Sequence, residues 1–174
     1  MALKSNYNSA SFGRDIQRQA DSIHERILQT FIRAGEEFVK QAREQMQEHA
    51  MGTYKDVTAN LRNSIGYYIF FDGKSVFQNP VSGEYAGPKT EGRLSKSEIE
   101  GINTEAIRDI VNPRGFQLIA VAGMNYASHV ESKGYNVISY QVDVMVIDLM
   151  RDLEYLNVID KGSAARYEES IIPQ

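Results

Sequence analysis

The stretch that decides the fold is Leu118–Gly134, LIAVAGMNYASHVESKG, which joins an apolar run to a short amphipathic helix. The run Leu118–Ala122 is apolar and partly β-branched, which predicts a buried strand. After Gly123, the Asn125 side chain can accept hydrogen bonds from first-turn amides, so a helix is expected to open there. Gly134 can adopt the left-handed conformation that ends a helix. The stretch therefore predicts a strand, a sharp turn and a short helix with exposed polar side chains.

A second unit of similar design lies upstream at Thr58–Phe71, TANLRNSIGYYIFF. Thr58 or Asn60 can cap one helical turn that runs through Ser64, and an aromatic strand follows. No basic residue interrupts the aromatic run, so core packing is a better interpretation than stacking on nucleic-acid bases.

The aromatic strand is followed by a turn signal. Asp72-Gly73-Lys74 separates Tyr67–Phe71 from Ser75–Gln78, and Asp-Gly is a strong indicator of a tight β-hairpin. The sequence Asp72-Gly73-Lys74-Ser75 also resembles the end of a phosphate-binding loop. Tyr68 occupies the place of that motif's first glycine, and the flanks predict strands, so this interpretation is rejected.

The longest predicted element is an amphipathic helix from Asp15 to about Ala50, ended by Gly52. Gly35 interrupts it and indicates either a kink or the close approach of a neighbour. The apolar stripe repeats every three or four residues, at Ile16, Ala20, Ile23, Ile27, Phe31, Ala34, Phe38, Ala42 and Met46. A core-covering role is expected for this stripe, with part of its length available for a subunit contact.

The remaining sequence divides into less regular parts. Residues 1–12 predict a flexible arm, 13–157 a single domain and 158–174 a loose tail. Within the domain, 79–95 is rich in Gly and Pro and predicts a long flexible loop. A helix is expected over Lys96–Val111, from the spacing of Ile99, Ile102, Ala106 and Ile110. Tyr135–Tyr140 is extended, and helix is favoured over strand for Gln141–Tyr155.

Together these elements predict an α+β fold. A long N-terminal amphipathic helix packs on a small mixed or antiparallel sheet, with two or three further helices. The 174 residues suffice for one core of ordinary size, and the composition, 42% hydrophobic and 24% charged, is typical of globular domains.

Composition also excludes several classes of protein. The net charge of −4 disfavours a dedicated nucleic-acid binder. The chain has no cysteine, which rules out disulfides and thiol catalysis. Neither a signal peptide nor an apolar run of about 20 residues is found, so synthesis in the cytoplasm without export or membrane insertion is expected.

No catalytic or metal-binding constellation is evident. His24, His49 and His129 are scattered and lack the spacing of metal ligands, and no carboxylate pair stands out. We therefore expect no enzymatic activity, no metal and no cofactor.

Two segments carry a resemblance to a known family. Thr58–Ile65 resembles a T-G-x-L-R-x-S-I pattern, and Gly123–Gly134 resembles G-x-x-Y-A-x-Y-V-E-x-G. Both patterns are typical of the gene-ten-type virion morphogenesis proteins of lambdoid tailed bacteriophages. Ala59 stands where the family pattern has glycine, which predicts a turn without a left-handed residue. His129 replaces an aromatic residue, and Gly134 comes one position late.

The resemblance implies a structural virion protein of the neck or upper tail, in tail completion or head–tail joining. Such a protein is expected to form a homo-oligomeric ring, sixfold like the tail. Its neighbours would be the head connector or portal adaptor and the tail-tube or tail-terminator proteins. DNA would pass through the lumen without specific binding, to which the acidic balance is suited.

A closed ring needs head-to-tail contacts between unlike surfaces. The expected subunit interface comprises the motif residues Thr58, Asn60, Leu61, Arg62, Ser64, Gly123, Asn125, Tyr126, His129, Glu131 and Gly134. An assembly loop is expected around Glu84, Lys89, Glu91 and Arg93. Arg62 either pairs with a carboxylate such as Glu131, in its own or a neighbouring subunit, or covers apolar surface with its stem.

Two alternatives from other classes stay open. A small hydrolase or toxin-like nuclease would need a cleft that collects His129, Glu131 and Arg62. A DNA-packaging accessory protein would bind DNA in a salt-dependent way.

Overall fold

A computed structural model describes residues 9–49, 57–79 and 81–171, and confirms the α+β class. One long helix packs on a three-stranded antiparallel sheet, and further helices surround this pair. The elements are α1 Ser9–His49, α2 Asn60–Ser64, β1 Ile65–Phe71, β2 Lys74–Gln78, α3 Lys96–Ile107, a 3₁₀ turn Arg108–Ile110, β3 Phe116–Ala122, α4 Ala127–Ser132, α5 Ser139–Tyr155 and α6 Ser163–Ile171.

The long helix α1 is confirmed, but it begins earlier than the sequence predicts. Ser9 already belongs to it, so the predicted flexible arm 1–12 is wrong for residues 9–12, and residues 1–8 lie outside the described part. The apolar stripe is buried only over its second half, where Phe31, Phe38 and Ala42 enter the core. The first half of the stripe stays exposed, with Ile16 at 50% and Ile23 at 51%.

The predicted hairpin is confirmed. β1 ends at Phe71, β2 begins at Lys74, and the turn residues Asp72 and Gly73 both have positive φ, at 48° and 75°. Positive φ at both central positions is the geometry of the turn that matches the twist of paired strands. The pairing shifts register after Ile69, which leaves a bulge in the edge strand.

The central strand β1 is buried on both faces. The strand order is β2-β1-β3, and both pairings are antiparallel. Tyr67 and Ile69 point into the main core beneath α1, whereas Tyr68 and Phe70 join a second cluster with Ile107 of α3. The aromatic run is therefore core, as predicted, and helices cover both faces of the sheet.

Gly35 marks a close approach and not a kink, since α1 runs unbroken through it. A Cβ added at Gly35 would lie 2.7 Å from Cγ of Tyr67, so only glycine lets the ring lie flat against α1. The Tyr67 hydroxyl donates to Oε1 of Glu36 at 2.9 Å. Burial, reinforced by this bond to Glu36, raises the pKa of Tyr67.

α3 begins with a capping box, in which the Ser95 hydroxyl accepts from the amide of Glu98 and the Glu98 carboxylate accepts from the amide of Ser95. Its buried face holds Ile99, Asn103 and Ile107. The predicted stripe through Ala106 and Ile110 is therefore rotated by about one residue, and both of those side chains are exposed.

The C-terminal region is more regular than expected. Gln141–Tyr155 is helical, as favoured, and belongs to α5, which packs along α1. Tyr135–Tyr140 forms no strand, because α5 already begins at Ser139. The predicted loose tail is wrong for 163–171, which form α6 on α5, with Ala164 buried.

Candidate interaction site

The first motif segment is a single helical turn, α2, that leads into β1. Its entry differs from the prediction: Ala59 has φ 62° and ψ 10°, the left-handed conformation that an alanine was expected to avoid. Left-handed backbone is costly for residues with a Cβ and is the reason glycine is common at such positions. The Thr58 hydroxyl accepts weakly from the amide of Asn60, at 3.4 Å.

The two asparagines of α2 hold the long loop after β2. Asn60 donates from Nδ2 to the Gly92 carbonyl at 2.8 Å, and its Oδ1 accepts from the Leu94 amide at 3.0 Å. Asn63 pairs in the same two-way manner with the backbone of Tyr85, at 2.9 Å and 3.3 Å. Each side-chain amide thus replaces a missing backbone partner, and the loop is anchored at two points.

The loop was expected to be flexible, but part of it is built into the fold. Val81 and Ser82 are buried, and a guanidinium nitrogen of Arg93 donates to the carbonyls of Gly83 and Tyr85. The residues predicted for assembly are all exposed: Glu84, Lys89, Glu91 and Arg93. The loop therefore presents charged side chains from an anchored backbone.

Arg62 lies on the ring of Tyr85, with its guanidinium carbon 3.8 Å from the ring centroid. Arg43 of α1 lies on the same side of the molecule, 6.0 Å from that centroid, and donates to the Ile65 carbonyl at 2.7 Å. Burial lowers the pKa of Arg43, and the nearby Arg62 charge adds to this. Two cations thus lie over one aromatic ring, whose quadrupole favours positive charge.

Asn103 connects the two motif segments. This side chain is fully buried; its Nδ2 donates to the Ser64 carbonyl at 2.8 Å, and its Oδ1 accepts from the Gly123 amide at 3.1 Å. A Cβ at Gly123 would overlap the Asn103 side-chain oxygen. The ladder places Ile65 opposite Ala122, so the end of one motif lies beside the start of the other.

Glu131 has a structural role that the sequence did not indicate. Its Oε1 accepts from the amides of Val137, Ile138 and Ser139, at 2.9–3.2 Å, and its Oε2 accepts from the Ser139 hydroxyl. Partial burial alone would raise the pKa of this carboxyl, but the four hydrogen bonds outweigh burial and hold the pKa below its usual range. Glu131 therefore caps the N-terminus of α5, where the helix dipole favours a negative charge.

α4 presents the surface predicted for it, although its start differs. It begins at Ala127 without a side-chain cap, so Asn125 does not open it as expected. Asn125, Tyr126 and His129 are exposed, and Gly134 ends this region with φ 83°.

Several motif residues cannot belong to a subunit interface. Asn60, Leu61 and Ser64 have exposed fractions of 6% or less, because they face the core or hold the loop. Thr58, Arg62 and Gly123 are half-buried. Of the residues predicted for assembly, those on α4, Arg62 beside Tyr85, and those of the charged loop remain available for contact.

The cleft required for the enzyme alternative is not found among the described residues. No ion pair joins Arg62 to Glu131; Glu131 is bonded to α5, and His129 lies exposed on α4. His24 packs against the rings of Phe71 and Phe116, at 4.5 Å and 4.7 Å between centroids. The His49 side chain lies outside the described residues. Within the described ranges no group of three or more candidate ligands could hold a metal ion.

Sequence reasoning missed Asn103, Asn63, Tyr85 and Arg43. Asn103 had a detectable signal, because it lies four residues from both Ile99 and Ile107 on an apolar helix face. A lone amide there predicts a buried hydrogen-bonding partner. The others gain their roles only through contacts distant in sequence.

Comparisons of the chain with known protein families, with curated proteins and with solved structures find no match. Among the described residues, no helix is long and apolar enough to cross a bilayer.

Proposed function

We propose that this chain is a structural virion protein of a tailed bacteriophage, a tail-completion or head–tail connector subunit that forms a ring at the neck. The observation that carries the proposal is the junction of the two motif segments. They lie about 60 residues apart in sequence, yet Asn103 bonds to both, and β1 pairs with β3 beside them. Segments that resemble one family pattern thus form one continuous structural unit.

The backbone at Ala59 supports the same proposal. The resembled pattern has glycine at this position, and here the residue has the left-handed conformation that glycine adopts most easily. Ala59 therefore adopts the backbone conformation to which the glycine of the pattern is suited, so the departure is compatible with the resemblance.

The chemistry of the site also favours assembly over catalysis. The polar groups of the motifs are used inside the fold: Asn60 and Asn63 anchor the loop, and Glu131 caps α5. What remains outside is a polar surface formed by α4 and the charged loop. Such a surface suits contacts with further copies and with the head connector or portal adaptor on one side and tail-tube or tail-terminator proteins on the other.

The proposal is tested in the phage or prophage whose genome encodes the chain. A nonsense mutation in this gene should give filled heads and separate tails by electron microscopy. Supplying the chain in trans should restore joined particles. Mass spectrometry of purified particles should find the chain in a small fixed copy number. Normal infectious particles without the chain would contradict the proposal.

Electron microscopy of the same mutant also distinguishes the neck proposal from the DNA-packaging alternative. A packaging accessory protein would leave heads empty when it is missing, and the purified chain would bind DNA with a steep salt dependence. The neck proposal expects filled heads and no such binding.

A further inference from the structure

The first part of α1 extends beyond the rest of the molecule. Every side chain from residue 12 to residue 23 is exposed, and contact with the sheet begins at His24, which meets Phe71 and Phe116. We call residues 9–23 the arm. At 1.5 Å per residue the arm is about 20 Å long. A helical segment of this length is marginal in water by itself, so it gains stability only by packing against something.

The arm carries an apolar ridge. Ile16, Ala20 and Ile23 lie on one face, and this face continues the stripe that covers the sheet further along α1. Ile16 and Ile23 are each about half exposed, at 50% and 51%. Contiguous exposed apolar side chains in register are typical of a contact surface, whereas single ones are ordinary.

A matching surface lies between α5 and α6. This groove has a volume of about 400 Å³, and its apolar lining is Tyr140, Val144, Ile147 and Ile171. None of these side chains belongs to either core cluster, so they form a second apolar ridge on the outside of α5 and α6. Tyr140 is 65% exposed. The spacing of the α5 residues, four then three, is that of a helix ridge and suits a second helix laid alongside.

The rim of the groove is acidic, whereas the side-chain charges of the arm balance one another. The groove rim has Asp143, Asp148 and Glu168 around a single cation, Arg151. The arm carries Arg14 and Arg18 against Asp15 and Asp21, so its side-chain charges balance. The arm also holds the positive end of the α1 dipole. Arg14 and Arg18 lie on the side of the arm away from its ridge, so the contact itself is made by apolar side chains.

A chain cannot fill its own groove with its own arm. α1 is one continuous helix, and the groove lies beside the part of α1 near Gln41, which lines a pocket with Val144. Ile16 is 25 residues earlier, or about 37 Å along a helix axis. Only the arm of a second copy can reach the groove.

We propose that the arm of one copy docks in the α5–α6 groove of the next copy, ridge against ridge, as a head-to-tail contact. This contact specifies one interface of the ring proposed above. It rests on that proposal, because it requires that copies associate through unlike surfaces. In a closed ring each copy makes two such contacts, one through its arm and one through its groove, and closure stabilises both.

Because the chain has no cysteine, only introduced cysteines can form disulfides in a cross-linking test. Ile16→Cys and Ile147→Cys are made as separate variants of the full chain, mixed and oxidised. A disulfide-linked heterodimer of the two variants is expected as the main product. Tyr155→Cys, 85% exposed on α5 outside the groove, replaces Ile147→Cys in the control and should give at least tenfold less heterodimer. Homodimers of Ile16→Cys as the main product would instead show arm-to-arm pairing and overturn the proposal.

Mixing also tests the direction of the contact. Ile16→Asp disrupts the apolar ridge of the arm. Tyr140→Asp combined with Ile147→Asp disrupts the apolar ridge of the groove. Circular dichroism checks that both variants fold. Light scattering should find each variant monomeric and the mixture limited to one-to-one dimers, because one intact arm meets one intact groove. If the groove variant fails to fold, Tyr140→Asp alone replaces it, at a side chain that is 65% exposed. A wild type that stays monomeric, or an arm variant that associates by itself, would overturn the contact.

This outcome is separable from that of the proposed function. Particles that contain the chain while arm and groove fail to cross-link would refute only the docking contact. Cross-linking in a chain that is missing from particles would refute only the neck assignment.

Discussion

The side-chain oxygen of Asn103 accepts a hydrogen bond from the backbone amide of Gly123 at 3.1 Å, in a fully buried environment. The same side chain donates to the Ser64 carbonyl. One amide from α3 thus satisfies two backbone groups that lie beyond the ends of paired strands, where no ladder partner is available. The unit formed by the two motif segments depends on this side chain.

Asn103→Ala is therefore expected to destabilise the protein by about 2 to 4 kcal/mol, since two buried backbone groups lose their partner and a cavity remains. Urea unfolding measures the change. Glu105→Ala, exposed on the same helix, is the control and should change stability by about 0.5 kcal/mol or less. A loss for Asn103→Ala no larger than that of the control would show that the hydrogen bonds are replaceable.

The contact of Gly35 with Tyr67 gives a second prediction. Gly35→Ala should destabilise the fold by about 1 kcal/mol or more, because overpacking against the ring exceeds the gain in helix propensity. Gly101→Ala on α3 is the matched control. No atom lies within 4 Å of its added Cβ, so the same substitution should stabilise by about 0.5 to 1 kcal/mol. Thermal unfolding of both variants measures these changes. If the Tyr67 contact were unimportant, both substitutions would change the stability in the same direction relative to the wild type.

The hydrogen bonds of the Glu131 carboxylate predict that the stability of the folded chain depends on pH. Its pKa is lower in the folded chain than the ordinary value of 4.5, so its contribution is present above that value and is lost as pH falls through the folded pKa. Glu131→Gln should cost about 1 to 2 kcal/mol at pH 7, and the difference from wild type should shrink towards pH 3.

Urea titrations at several pH values check this prediction. Glu105→Gln, which changes the same chemical group at an exposed site, should follow the wild type at every pH. A difference between Glu131→Gln and wild type that stays constant from pH 7 to pH 3 would mean that the carboxylate charge is not what α5 requires.

The anchoring of the loop predicts a change in protease sensitivity. Asn63→Ala removes the paired hydrogen bonds to Tyr85, so the loop should open more often and trypsin should cut faster after Lys89 or Arg93. An increase of about tenfold would correspond to 1.4 kcal/mol of lost anchoring. Asn125→Ala, exposed near α4, should leave the cleavage rate unchanged. Equal rates for the two variants would show that the loop is held by other contacts.

The amino-acid sequence by itself determined the elements whose signals are local. The α1 stripe, the Asp72-Gly73 turn and the strand before Gly123 were predicted correctly, because each depends on side-chain periodicity or on a residue's own backbone preference. The α+β class followed from the order of these elements.

The tertiary structure decided which polar residues are structural. Asn63 and Asn103 had no predicted role, and Glu131 was predicted to lie in an interface, yet each satisfies backbone groups of a segment folded against it. The left-handed Ala59 was likewise imposed by the packing around α2, against the preference of alanine. Buried backbone groups must find partners in three dimensions, and no spacing along the chain records which side chain will reach them.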